Sequence, residues 1–236
     1  MTTRRVAVLV LTGLIALGCG AGEAPQGEGL VAHYPLDGDA TDVVGESPGV
    51  IDGATGAPDR NGSEGAALRF DGVDDLVTFA NTDALNISNE FTISVWVDAD
   101  PPANPDDFLT LFEKSDPERD GHSRYGLWLQ DGRHWVCVEA ADNSEQPCVE
   151  ASTAIGVGWH HVAAVRSGRR AIIYVDGAEM ANGFVGLQDV SQTPFDAFIG
   201  TDAYQRDPAW LAATVDDLRI YDRGLSADEV ADLASD

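Results

Sequence analysis

Apolar residues along this chain recur with a period of two inside short runs, and the runs are separated by Gly, Pro, Asp and Asn. Phe91, Ile93, Val95 and Val97 alternate with Thr92, Ser94 and Trp96. Leu218 and Ile220 alternate with Asp217 and Arg219. Alternation of this kind puts one set of side chains on each face of a strand. The same reading predicts strands at Leu30–Leu36, Ala66–Phe70, Leu76–Phe79, Phe91–Val97, Phe108–Glu113, Arg124–Leu129, His134–Glu139, Cys148–Ala151, His160–Arg166, Ala171–Val175, Ala197–Gly200 and Thr214–Tyr221. Asp176-Gly177 after Ile172-Ile173-Tyr174-Val175 is a hairpin turn signal. Many short strands with turns between them argue for an all-β sandwich. A helical signal stands near the end: Ser226 with Glu229 three residues on forms a capping box, and Val230 and Leu233 share a face. This predicts a short helix over 227–234, packed on the edge of the sandwich.

The first thirty residues follow a different rule. Arg4 and Arg5 precede a twelve-residue apolar run, Val6 to Leu17, too short to span a bilayer and suited to an export signal. The run ends at Ala16-Leu17-Gly18-Cys19, which resembles a bacterial lipoprotein cleavage site. The resemblance implies a leader over 1–18, a lipidated Cys19 and a Gly-, Pro- and Glu-rich tether over 19–29, with the folded domain at 30–236. Such a chain is anchored to a membrane through lipid alone and does not cross it. Gly20 after Cys19 tilts the placement toward an outer surface of the cell envelope; an ordinary secretory leader is the alternative. Export also frames the other cysteines. Cys137 and Cys148 flank a polar, turn-like stretch, so strands meeting there would bring them together as a disulfide.

Forty acidic against fourteen basic residues give a net charge of −26. Nucleic acid and anionic membrane surfaces are poor partners for such a surface, whereas hard cations are good ones. Surplus surface acid also serves solubility alone.

Several phrases occur in a telling order. They are Leu68-Arg69-Phe70-Asp71-Gly72-Val73-Asp74-Asp75, then Phe91–Val97, Gly158-Trp159-His160-His161-Val162-Ala163, Ile173-Tyr174-Val175-Asp176-Gly177, and Val215-Asp216-Asp217-Leu218-Arg219-Ile220-Tyr221 with Leu225-Ser226. Together they resemble the laminin-G-like, concanavalin A-like jelly-roll family. The resemblance reaches from Leu30 to Ser226 and implies an antiparallel jelly roll of two sheets, a fold that binds more often than it cuts.

That frame constrains the candidate chemistry. Glu139, Asp142 and Glu145 have the wrong spacing to share one face of a strand as a glycosidase pair would. Neither a Gly-x-Ser-x-Gly elbow nor a His-Glu-x-x-His helix occurs. The chain therefore reads as non-catalytic, with a glycan-degrading enzyme as the lesser alternative. His160 and His161 are adjacent on a strand and point to opposite faces, which disfavours a shared metal. Asp37, Asp42, Asp216 and Asp217 match positions that are acidic in the resembled family, and the resemblance implies a structural calcium site there. Asp71, Asp74 and Asp75 form a second cluster. Tyr204, Gln205, Asp207 and Trp210 occupy a long loop without strand signals and are the expected ligand contacts, while Trp96 and Trp159 are expected in the core. The expected ligand is a glycan or an extracellular protein, with a protein-only adhesion or scaffold module as the alternative.

Overall fold

The computed structural model describes residues 27–87, 89–101, 104, 106–115, 123–130, 133–138, 148–151, 154–185, 194–201 and 209–236. Cys19, Glu139, Asp142, Glu145, Tyr204, Gln205 and Asp207 lie outside the described residues. The strands in chain order are β1 (Leu30–Tyr34), β2 (Gly49–Asp52), β3 (Thr55–Ala57), β4 (Ala67–Asp71), β5 (Leu76–Phe79), β6 (Phe91–Ala99), β7 (Leu109–Ser115), β8 (Ser123–Gln130), β9 (Arg133–Val138), β10 (Cys148–Glu150), β11 (Trp159–Ser167), β12 (Arg170–Val175), β13 (Ala178–Phe184), β14 (Ala197–Ile199) and β15 (Ala212–Tyr221). One helix, α1 (Ala227–Leu233), follows. Among the described residues, no helix is long and apolar enough to cross a membrane.

These strands build two antiparallel sheets. The eight-stranded sheet runs β13-β12-β11-β6-β15-β4-β3, with β1 also paired to β15; the seven-stranded sheet runs β10-β9-β8-β7-β14-β5-β2. The sheets face one another across a core in which Phe91, Ile93, Val95 and Val97 of β6 meet Leu111, Phe112, Tyr125, Leu127 and Ile199. The period-two pattern of β6 thus divides as its sequence predicts. Cross-sheet aromatic contacts reinforce the layer, with Tyr34 at 4.3 Å from Phe79 and Phe91 at 5.3 Å from Tyr125 between ring centroids. The fold is the all-β sandwich that the strand spacing predicts, with the two antiparallel sheets that the jelly-roll resemblance implies.

The helix differs in placement. Val230 and Leu233 pack with Ala163, Val165, Tyr174, Tyr221 and Leu225 in a cluster separate from the main core. Those strand residues alternate with the core-facing Val162, Ala164, Ile173 and Ile220, so α1 covers the outer face of the eight-stranded sheet and not its edge. The capping box is formed: Glu229 N donates to Ser226 Oγ (3.3 Å) and Ser226 N donates to Glu229 Oε2 (2.8 Å). Arg223 adds two bonds to the same carboxylate, at 2.6 and 3.0 Å, and Glu229's carboxyl falls to about 2, chiefly through this hydrogen bonding.

β15 organises the rest. Val215 and the three residues before it pair with β4, whereas Leu218 to Tyr221 pair with β1 on the same edge. Between the two partners, at Asp216 and Asp217, the register against β6 slips. Asp217 adopts φ 54° there, and its N–H donates to Pro35 O at 3.2 Å. This is a bulge, which re-aims side chains locally.

Candidate functional site

The start of β15 lies at one end of the sandwich, and several acidic turns gather around it. Ala212 is paired with Asp71 at the end of β4, and Asp100 N donates to Ala212 O at 2.9 Å. The loop that leaves β14 returns to β15 through a bond from Leu211 N to Gly200 O (2.8 Å). Its base therefore sits on the β4–β5 turn. The approach is close: a Cβ on Gly200 would stand 2.3 Å from Asp75 O.

The β4–β5 turn folds on its own carboxylates. Val73 N donates to Asp71 Oδ1 (2.8 Å) and Asp71 N donates to Asp75 Oδ2 (2.7 Å). This self-capping, which Asp favours in turns, leaves Asp71, Asp74 and Asp75 with ligand oxygens all within 4.8 Å of one another. Asp75 is only 6% exposed. Burial raises its carboxyl above the usual range, and the charges of Asp71, Asp74 and Asp52 add to the rise against the bond from Asp71 N. Among the described residues, no arginine or lysine pairs with the three carboxylates. Three acids crowded without a counter-charge among the described residues fit a hard divalent cation, which takes carboxylate oxygens and lowers their mutual repulsion.

The same end carries apolar surface. Val73, Phe108 and Val157 are exposed there and Trp210 is half-buried. Gly158 N donates to Asp98 Oδ1 (3.2 Å), which places the start of β11 beside the end of β6. Thr201, at the root of the loop, is buried with its Oγ1 unpartnered. Of the four expected ligand contacts, Trp210 is described at this rim.

The other acidic set is divided. Asp37, Asp216 and Asp217 line one concavity of about 240 Å³ together with His33, Pro35, Asp59, Arg60, Asn61, Ala66 and Arg219. Asp42 is not among them. Its Oδ1 accepts from His33 N, Val44 N and Gly45 N at 3.0, 3.1 and 2.8 Å, so it holds the turn after β1. Arg60 Nη1 donates to Asp216 Oδ2 at 2.5 Å, and Arg219 donates to both oxygens of Asp217 at 3.0 and 2.9 Å. His33 Nε2 lies 2.7 Å from Asp217 Oδ1. Burial raises Asp216 to about 6 against the pull of Arg60. Burial would also raise Asp217, but His33 and Arg219 outweigh it and hold its carboxyl below the usual range.

Trp96 is not in the core as the sequence reading expected. It stands half-buried on the outer face of the eight-stranded sheet with the Arg60 guanidinium 4.8 Å above its ring. Core volume on β6 is filled by its other face, which left the tryptophan outside. Trp159 is likewise half-buried. His161, fully buried beside Trp96, is pushed down to about 4 by burial and shares a 2.8 Å hydrogen bond with Ser94 Oγ. His160 turns the other way, to Asp176 at 2.8 Å. Trp128 is buried away from the main core and donates to Glu113 Oε2 at 2.9 Å, whereas Tyr125 packs inside it. Cys148 is the register partner of Cys137 across β10 and β9. Arg60 was not legible in the sequence: it sits in a polar loop, and its carboxylate partner Asp216 is 156 positions away.

Comparison with known proteins agrees with this geometry. Residues 71–231 match the family model described as the concanavalin A-like lectin/glucanases superfamily. The fold is similar to domain 4 of AbnA, a GH43 extracellular arabinanase from Geobacillus stearothermophilus solved with arabinotriose (TM-score 0.67, 24% identity, 87% of this chain and 98% of that one). It is similar to the binding domain of Paraclostridial Mosquitocidal Protein 1 (TM-score 0.68, 17% identity, 87% of this chain) and spans 52% of that structure. It is similar to Trypanosoma rangeli sialidase as well (TM-score 0.61, 19% identity, 87% of this chain), of which it spans 33%. No curated protein matches the chain. With the family match over residues 71–231 and the shared two-sheet architecture, the chain belongs to the concanavalin A-like lectin/glucanase superfamily.

Proposed function

We propose that this is a non-catalytic binding module that recognises a glycan at the acidic rim, with calcium held by Asp71, Asp74 and Asp75. The observation that carries the reading is the seating of Gly200 on that turn: Gly200 lies against Asp75, and Leu211 N donates to Gly200 O. A cation there would meet sugar hydroxyls beside Trp210; Tyr204, Gln205 and Asp207, the other expected contacts, lie outside the described residues. Ring stacking on tryptophan with hydroxyls fixed by carboxylates and a hard cation is a common way to hold a polar, uncharged ligand. The arabinotriose bound by the similar arabinanase domain supports a saccharide as the first class to test.

The rim also suits a tethered module. β1 begins opposite Tyr221, at the far end of the ten-residue β15 from Ala212, about 30 Å away at the rise of a strand. A chain lipidated at Cys19, on the envelope surface, would point the rim away from its anchor. Exposure to an oxidising compartment also supports a Cys137–Cys148 disulfide, for which opposed strand positions have the right reach.

A glycan array probed with the full chain, once with calcium and once with chelator, tests the reading. Calcium-dependent hits on neutral oligosaccharides are expected. Absence of any hit, with a protein partner recovered instead, would transfer the module to protein adhesion.

A further inference from the structure

The bulge of β15 poses an electrostatic problem. Asp216 and Asp217 are consecutive, 4% and 9% exposed, and both open on the same concavity. Two adjacent buried carboxylates repel strongly, so something positive must stand between them and the segments packed against them. A calcium ion is the solution the family resemblance implies. Four of the eight carboxylate oxygens of Asp37, Asp42, Asp216 and Asp217 are already committed, three of them to arginines inside the concavity.

Calcium takes six to eight oxygens. Asp42 spends Oδ1 on three backbone amides, and its unpartnered Oδ2 lies beside Gly45 in the turn after β1, outside the concavity. Both Asp217 oxygens accept from Arg219, and Asp216 Oδ2 accepts from Arg60. Arg60 Nη2 also lies 3.9 Å from Asp217 Oδ2, so this one guanidinium spans both acids. Arg219 reaches on to Asp236 at 3.3 Å, which ties in the C-terminus. A divalent ion placed here would have two guanidinium groups as its nearest neighbours.

We infer that Arg60 and Arg219 close this junction in place of a metal, fastening the loop between β3 and β4 to the bulge of β15 by the chain's own charge. Arg60 is suited to the task because Trp96 supports its flat face while its edge meets the carboxylates. The inference is independent of the glycan reading, since the junction and the Asp71–Asp75 turn share no residue.

The test is thermal melting of the full chain carrying Asp71→Asn and Asp74→Asn, which silence the rim cluster. Its Tm is expected to be the same in chelator and in millimolar calcium. Adding Arg60→Ala is expected to lower Tm by roughly 6 °C or more in both, because one partner of a buried pair is lost. Arg60→Lys, which keeps the charge but not the fork, is expected to recover part of that loss. A calcium-dependent rise in Tm in the Asn double variant would overturn the inference, as would an Arg60→Ala change that leaves Tm unmoved. The first of these measurements needs no Arg60 variant to fold.

Discussion

Gly200→Ala is the sharpest single perturbation of the rim. Gly200 is buried, has φ 117° and donates its N–H to Thr110 O at 3.1 Å. An added Cβ would stand 2.3 Å from Asp75 O and 3.2 Å from Leu76 Cα, both backbone atoms that cannot swing aside. The backbone conformation alone costs a side-chain residue about 1–3 kcal/mol. Forcing the β4–β5 turn outward adds about 1–3 kcal/mol, the usual cost of overpacking. The sum is about 2–6 kcal/mol, or roughly 5–20 °C in Tm for a domain of this size. Gly62→Ala is the control, because Gly62 has φ 82° and nothing within 4 Å of an added Cβ. It should cost only the left-handed strain, about 1–2 kcal/mol. Melting and urea titration of both variants, with and without calcium, separate the terms. Gly200→Ala should also lose the calcium-dependent rise in Tm, since it displaces Asp75. If the two variants prove equally mild, the close seating of loop on turn is wrong, and the rim loses its main support.

Three further outcomes follow from the same structure. Glu229→Ala removes the capping box and the Arg223 pair; the carboxylate is partly solvated, so the loss is about 1–2 kcal/mol at pH 7, below the full linkage value. Its folded pKa of about 2 is depressed from 4.5, so urea titrations should show the gap between wild type and variant narrowing as pH falls from about 4.5 to 2. Asp216 has the opposite sign: its folded pKa of about 6 lies above 3.8, so its contribution falls as pH rises from about 4 to 6, by at most about 3 kcal/mol. Asp216→Asn should flatten the stability profile in that window. Reduction of the proposed Cys137–Cys148 bridge should lower stability by about 3 kcal/mol, and both cysteines of the unreduced, denatured chain should resist alkylation.

Much of the architecture was legible because its signals are local. The alternation of β6, the Asp176-Gly177 hairpin and the Ser226–Glu229 cap each depend on residues within a few positions. Asp176 and Gly177 do adopt positive φ, as a two-residue hairpin turn demands. The strands that escaped notice are β2, β3 and β13. The first two have four and three residues, and β13 reads Ala-Glu-Met-Ala-Asn-Gly-Phe without clear alternation. They lie at sheet edges and owe their form to the strand beside them.

The site was less legible because its parts are joined only by tertiary pairing. Asp71, Asp74 and Asp75 stood out as a cluster, yet nothing in the sequence linked them to Gly200 and Leu211. Conversely, Asp37, Asp42, Asp216 and Asp217 look alike as letters, and only the fold divides them. One caps a turn, two are paired with arginines, and one is exposed.

We place the cation and its ligand at the rim around Asp71–Asp75, Gly200 and Leu211. Hydrogen exchange of the full chain with and without calcium tests that placement most directly. Slower exchange confined to amides at 71–76 and 200–212 is the predicted result. Slowing at 36–45 and 214–219 instead, or no slowing anywhere, would contradict it.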